Sequence, residues 1–262
     1  MSSLVGLAPA FSARQLGFMR LSLVGLTKKF GPQRVLDGLS LDLLPGTITC
    51  VIGLNGAGKT TLLRCCAGLL AASDGEVRYD DAPFRRDDLA LRRRMCFLPD
   101  FPPFLGDATV LTHISLILDL YRPGQAFAAD RVIDLLGEFD LLPYAEMPIA
   151  TLSRGQTYKA ALIGLLLAQP ELWLLDEPFA SGMDPQGLGS LKRYAREATA
   201  GGATIVYSTQ ILEIAERFAD RIIVIDRGRV RLDLEHAALR ALPPSGVGSL
   251  EDQLREFREN RA

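Results

Sequence analysis

One eight-residue stretch constrains this chain more than any other feature. Gly53-Leu54-Asn55-Gly56-Ala57-Gly58-Lys59-Thr60 fits the spacing G-x-x-x-x-G-K-[ST]. It follows Thr47–Ile52, a nearly unbroken apolar run of β-formers, and precedes a helical pattern over Thr60–Leu70. The glycines let backbone N–H groups wrap an anion without a Cβ in the way. The helix aims the positive end of its dipole at the same point. Lys59 can reach the β- and γ-phosphates of a nucleotide, the Thr60 hydroxyl can ligate magnesium, and Thr61 completes the binding set. A glycine-rich turn that binds nothing is the plain alternative; the strand before and the helix after speak for a real site.

A second segment narrows the chemistry. Leu172-Trp173-Leu174-Leu175-Asp176-Glu177-Pro178 is an apolar strand ending in two acids. Asp176 would hold magnesium through water, and Glu177 would orient or deprotonate the attacking water. The plain alternative is a strand that ends in two solvated carboxylates.

Around these motifs the chain reads as α/β. Leu21 to Leu43 alternates with period two, broken by Gly, Pro and Asp, as short antiparallel strands do. Thr47–Ile52 reads as a central strand covered on both faces. Further strand-like runs lie at Met95–Leu98, Leu172–Leu175, Thr204–Tyr207 and Ile222–Ile225. Their alternation with helical segments predicts a parallel, doubly wound sheet with ligand at the C-terminal ends of its strands. Between about 105 and 150 the apolar spacing turns helical (Val110, Ile114, Ile117, Leu118; Val132, Leu135, Leu136, Phe139), an inserted helical subdomain. Residues 1–18 read as an extension, expected to be poorly ordered, with the folded domain over 19–232. Residues 233–262 read as a helical tail broken at Pro243-Pro244, with a capping-box pattern at Ser249.

Charge and cysteine usage exclude some classes. A formal net charge of −2 gives no basic surplus for binding nucleic acid. Cys50, Cys65, Cys66 and Cys96 lack metal-ligand spacing and read as reduced thiols packed inside a cytosolic protein. The longest apolar stretches, such as Ala160–Ala168, fall well short of the roughly 20 residues that cross a bilayer. Any membrane role must work through a partner.

Between the two motifs stands Leu152-Ser153-Arg154-Gly155-Gln156. An LSxGQ segment closely upstream of LLDEP resembles the ATP-binding subunits of ABC transporters, and the likeness runs from about Leu21 to Arg231. The resemblance implies a P-loop NTPase fold: a RecA-like parallel core, an antiparallel β-subdomain, and a signature-bearing helical subdomain over about 101–158. It implies ATP and magnesium as ligands, with Phe30 on the adenine and Ser181–Asp184 as the loop after the catalytic acid. It further implies a head-to-tail sandwich, homodimeric or heterodimeric. There Ser153, Gly155 and Gln156 of one chain would cap the nucleotide on the phosphate loop of the other. A transmembrane permease subunit would be the second partner, placing the chain on the cytoplasmic face of the cell membrane.

Two positions depart from the family pattern. Glutamine is usual where this chain has Asp100; aspartate is shorter and anionic, and it accepts from magnesium-bound water but cannot donate to the attacking water. Histidine is usual where this chain has Gln210, which donates a neutral hydrogen bond but cannot become a cation. With Glu177 intact, the expectation is an ATPase of reduced turnover in which Glu177, Gln210 and Asp100 form the catalytic set. Thr60, Asp176 and Asp100 form the metal set. Arg154, where glycine is usual, reads as tolerated variation, and His113 and His236 as ordinary surface or interface residues. The alternatives are an ATP-gated regulatory or structural module without useful hydrolysis, and a soluble family member working on DNA or ribosomes. The single ATPase half and the lack of heptads speak against the latter.

Overall fold

The computed structural model describes residues 18–124, 129–241, 243, 246 and 249–259. The expected extension over 1–18 thus lies, Phe18 apart, outside the described residues. Two strands open the fold, β1 (Leu21–Phe30) and β2 (Gln33–Leu43), longer than the short strands the alternation suggests. Then come β3 (Ile48–Ile52), α1 (Lys59–Cys66), β4 (Asp74–Tyr79), β5 (Ala82–Pro83), α2 (Leu89–Arg93) and β6 (Met95–Leu98). The helical layer follows: α3 (Val110–Tyr121), α4 (Ala129–Glu138) and α5 (Arg154–Ala168). The chain closes with β7 (Leu172–Leu175), α6 (Pro185–Ala200), β8 (Thr204–Thr209), α7 (Leu212–Phe218), β9 (Arg221–Asp226), β10 (Arg229–Glu235), α8 (His236–Ala241) and α9 (Leu250–Glu259).

The strands form two sheets. A small antiparallel one runs β2-β1-β4-β5; a larger one runs β10-β9-β3-β8-β7-β6 and is parallel except for its β9–β10 edge. The four interior strands of the larger sheet sort their residues by parity. Ile48, Cys50, Ile52, Trp173, Leu175, Ile205, Tyr207, Ile222 and Val224 pack into the core under the helices. Val51, Leu172, Leu174, Val206, Ile223 and Ile225 pack into a second core with α1 and the antiparallel sheet. A strand covered on both faces must be apolar at every position, which is why these segments read as continuous runs. The expected RecA-like core, antiparallel sheet and helical layer are all present.

Some expectations shift. Helix α1 stops at Cys66 rather than near Leu70, because the chain turns at Gly68, whose N–H bonds the Cys65 carbonyl. The helical elements at the C-terminus begin at His236, since Asp233–Glu235 complete β10. That strand alternates half-buried Val230, Leu232 and Leu234 with exposed charges, an edge pattern the sequence reading passed over. Ser249 does accept the Asp252 N–H at 3.2 Å, starting α9. His113 is not a surface residue. It is buried in the helical layer edge-on to Phe104, and burial holds its imidazole below the ordinary value of 6.5. The side chain of His236 lies outside what is described. All four cysteines are free thiols; Cys50, Cys65 and Cys66 are buried, and desolvation pushes Cys50 up to about 12. Among the described residues no helix is long and apolar enough to cross a membrane.

Helix α5 carries the signature segment and is buried from Tyr158 to Ala168 without a polar face. Two contacts at its start fix it to the loop after Glu177. A Cβ on Gly155 would lie 2.2 Å from the Gly182 carbonyl oxygen, so only glycine permits this approach. Lys159, itself buried, donates to Asp184 at 2.6 Å, and Asp184 caps α6 by accepting the Gly187 N–H at 2.8 Å. The Lys159 bond, then the Gly187 bond, hold the Asp184 carboxyl below its ordinary 3.8.

Two outcomes follow. Leu162→Ala, at a fully buried α5 position, should cost about 2–5 kcal/mol, read from the urea midpoint. A carboxyl lowered in the folded state stabilises the fold above its unfolded pKa and loses that contribution as pH falls through the folded value. Asp184→Asn should therefore lower stability at pH 7 and flatten the decline below about pH 4. Equal acid limbs in urea titrations of the two proteins would contradict the Lys159–Asp184 assignment.

Candidate active site

The parallel strands end on one rim, and the loops that leave them build a cleft of about 380 Å³. The 54–61 stretch of the phosphate loop forms its floor after β3. Asp100 enters from the loop after β6, Asp176 and Glu177 from the end of β7, and Gln210 from the end of β8. The topology thus gathers residues separated by more than 100 positions at the place expected for a ligand.

Glycine is required at Gly58, the N-cap of α1. Its φ is 109°, and a Cβ there would sit 2.9 Å from Leu36 and 3.0 Å from the Val35 carbonyl. The buried ammonium of Lys59 donates to the Gly53 carbonyl at 2.8 Å and lies 3.4 Å from Glu177 Oε1. Thr60 Oγ1 donates to Asp176 Oδ1 at 3.1 Å. Asp176 is almost wholly buried, yet its carboxylate is satisfied, because Ser208 Oγ also donates to Oδ1 at 2.6 Å. The same Ser208 oxygen accepts the Glu177 N–H at 3.0 Å. Glu177 stands in the left-handed region (φ 48°, ψ 45°), a strained position for a residue with a Cβ, of a kind that clusters at functional sites. Gln210 Nε2 is 3.5 Å from Glu177 Oε1, a long contact from an exposed side chain.

The predicted metal and catalytic sets, Asp176, Glu177, Asp100 and Gln210, are brought together here with Leu54–Thr61 of the predicted nucleotide-binding set. The Gly53 carbonyl stands at the back, on Lys59. Ser153, Gly155 and Gln156 do not line this cleft. Ser153 is exposed at the start of α5, in a reciprocal capping box. Its hydroxyl accepts the Gln156 N–H at 3.3 Å, and Gln156 Oε1 accepts the Ser153 N–H at 2.9 Å. Gln156 therefore has a structural duty, and Gly155 a packing one. Phe30 does not line the cleft either; it is half exposed, with the Lys28 ammonium 5.1 Å from its ring, and its cross-strand partner Gln33 reaches the cleft instead.

Sequence reasoning missed three residues. Gln33 and Val35 line the cleft from the β1–β2 hairpin, with no signal beyond the strand pattern. Ser208 belongs to none of the motifs, though a serine near the end of a buried apolar strand is a signal in itself. A buried hydroxyl requires a partner, and the partners here are the two site acids.

A family model described as ABC transporter matches residues 36–180. The ABC-type transporter ATP-binding protein EcsA of Bacillus subtilis (strain 168) is 33% identical over 80% of this chain and 85% of its own. The phosphonates import ATP-binding protein PhnC 1 of Natronomonas pharaonis is 36% identical over 84% of this chain and 95% of its own. A solved ATP-binding subunit of an ABC transporter superposes with TM-score 0.82 at 28% identity, covering 91% of this chain and 99% of its own. A phosphate loop, an acid pair held by one serine and a signature segment whose Ser153 stands exposed outside its own cleft thus meet in a chain that belongs to the ABC transporter family, among its ATP-binding members.

Proposed function

We propose that this chain is the ATP-binding and hydrolysing subunit that powers translocation by a separate membrane subunit. One observation carries the reading: Lys59, the Thr60–Asp176 pair and Glu177 converge in one cleft while Ser153 stands exposed outside it. The backbone of the 53–58 loop and the α1 N-terminus bind the phosphates, and Lys59 leaves Gly53 to reach them. Thr60 Oγ1 and the Asp176 carboxylate are hard oxygen donors suited to magnesium. Among the described residues no cluster of His, Cys, Asp or Glu would hold a metal unaided. That fits a cation that arrives with phosphate oxygens and keeps its waters. When bound, magnesium supplies neutralisation of the charge that develops between the β- and γ-phosphates.

Glu177 aligns the attacking water and takes its proton, and Ser208 holds the backbone that aims it. Gln210 orients the same water through a neutral donor. Lacking a cation at Gln210 and a donor at Asp100, the site turns over slowly. Ser153, with the Gly155 backbone, caps the triphosphate on a second, head-to-tail chain, so closure of the pair depends on the γ-phosphate. The membrane subunit docks in a groove of about 630 Å³ between the end of α1 with the turn after it and the β6 loop, edged by Tyr121 of α3. Exposed Leu69 and Phe101 line it with Phe97 and Tyr121, flanked by Arg64 and Arg92. This places the chain peripherally on the cytoplasmic membrane face. A gate without hydrolysis is the weaker reading, since Glu177 is present and held in place.

Lys59→Ala should abolish ATP binding in equilibrium dialysis. Glu177→Gln should keep binding and reduce turnover by about 10²–10⁴-fold. Gln210→His should raise steady-state turnover; no change or a loss would remove the slow-site reading while leaving the nucleotide site intact.

A further inference from the structure

Asp100 and Arg154 lie 54 residues apart in sequence, yet their side chains form an ion pair. The guanidinium also lies over the Phe101 ring, 4.2 Å from its centroid. Each charge is poorly placed without the other. Arg154 is the first residue of α5, whose first turn holds no acid. A cation there opposes the positive end of the helix dipole. Asp100 borders a cleft that already holds Asp176 and Glu177, with Lys59 as the lysine among the residues lining it. Left bare, its charge would repel the phosphates that must enter. One turn beyond Arg154, on the same side of α5, stands Tyr158. It is fully buried, its hydroxyl finds no hydrogen-bond partner among the described residues, and the charges of Asp100 and Asp176 reach it.

The pair is also soft. Its side chains are 43% and 31% exposed. An ion pair so solvated contributes about 0–1 kcal/mol, little enough to be exchanged.

Resting on the nucleotide-site reading above, we propose that Arg154 is a positioning residue. It holds and neutralises Asp100 until the divalent cation accompanying a nucleotide takes that carboxylate, and it is then freed beside Ser153. The loading of a chain's own cleft thereby decides whether a free guanidinium stands at the segment that faces a second copy. Two of the three sequence departures, at Asp100 and at Arg154, are then one device.

The test is the affinity of the full chain for a fluorescent ATP analogue, measured with magnesium and with a chelator in its place. Arg154→Ala should weaken binding in chelator about fivefold and change binding in magnesium by less than about twofold. Arg154→Lys should restore most of the loss. In an Asp100→Asn background, Arg154→Ala should have no further effect in chelator, and Asp100→Asn alone should lower the gain in affinity that magnesium brings. Circular dichroism melting reports folding for each protein. If Arg154→Ala fails to fold, the Asp100→Asn magnesium ratio decides alone. Equal chelator affinities for wild type and Arg154→Ala, an equal loss in the Asp100→Asn background, or an unchanged magnesium ratio would overturn the exchange and leave the nucleotide site standing. Failure of the wild-type chain to bind the analogue in both conditions would overturn the site itself, and the exchange with it.

Discussion

The burial of one carboxylate organises this molecule. Asp176 sits at the end of the β7 strand, nearly out of reach of water. Burying an ionised group uncompensated costs many kcal/mol, so its neighbours must satisfy it. They come from two separate places, Thr60 in α1 and Ser208 in β8; the Asp176 backbone N–H separately donates to the Leu98 carbonyl of β6 at 2.9 Å. Meeting that demand registers β7, β8 and the start of α1 against one another. The hydrogen bonds that satisfy this carboxylate also fix the geometry of the rim around the candidate site.

The parity sorting of the sheet fixes its register and leaves the signature helix on one side of it. Successive residues of each interior strand enter different cores, so the sheet cannot slide in register without exchanging the two sets. Helix α5 packs on one of those cores only. Its N-terminus meets the rim through Gly155 against Gly182, Lys159 on Asp184, and Arg154 on Asp100. These three contacts are the mechanical link between the helical layer and the cleft.

What the sequence disclosed follows from this arrangement. The spans Met95–Leu98 and Leu172–Leu175 coincide with β6 and β7, because four consecutive apolar residues leave no polar residue to blur their ends. The phosphate loop was legible because its chemistry is local: eight consecutive residues make the cradle. β10 was not, since its half-buried alternation resembles any edge segment, and β4 and β5 hold little apolar sequence of their own. His113 was misplaced on its polar character, although it stands three residues after Val110 and four before Ile117, on the apolar face of α3. Gln156 and Gly155 were assigned by resemblance to a partner's nucleotide, and the structure adds local duties that spacing alone does not express.

Arg154 is the instructive case. As a letter in a motif it is a substitution without consequence. As a charge at the first residue of a buried helix it carries an electrostatic demand, and that demand is met by the other residue at which the chain departs from its family in the same region. Pairing across 54 positions cannot be read from periodicity, but the sign of each charge could have prompted the search: an arginine where the dipole disfavours one, an extra acid where phosphates must bind. Two locally unfavourable charges that cancel in space impose a constraint neither imposes alone, since removing either leaves the other misplaced. Departures from a family pattern are therefore best weighed as sets of neighbours in the fold rather than position by position.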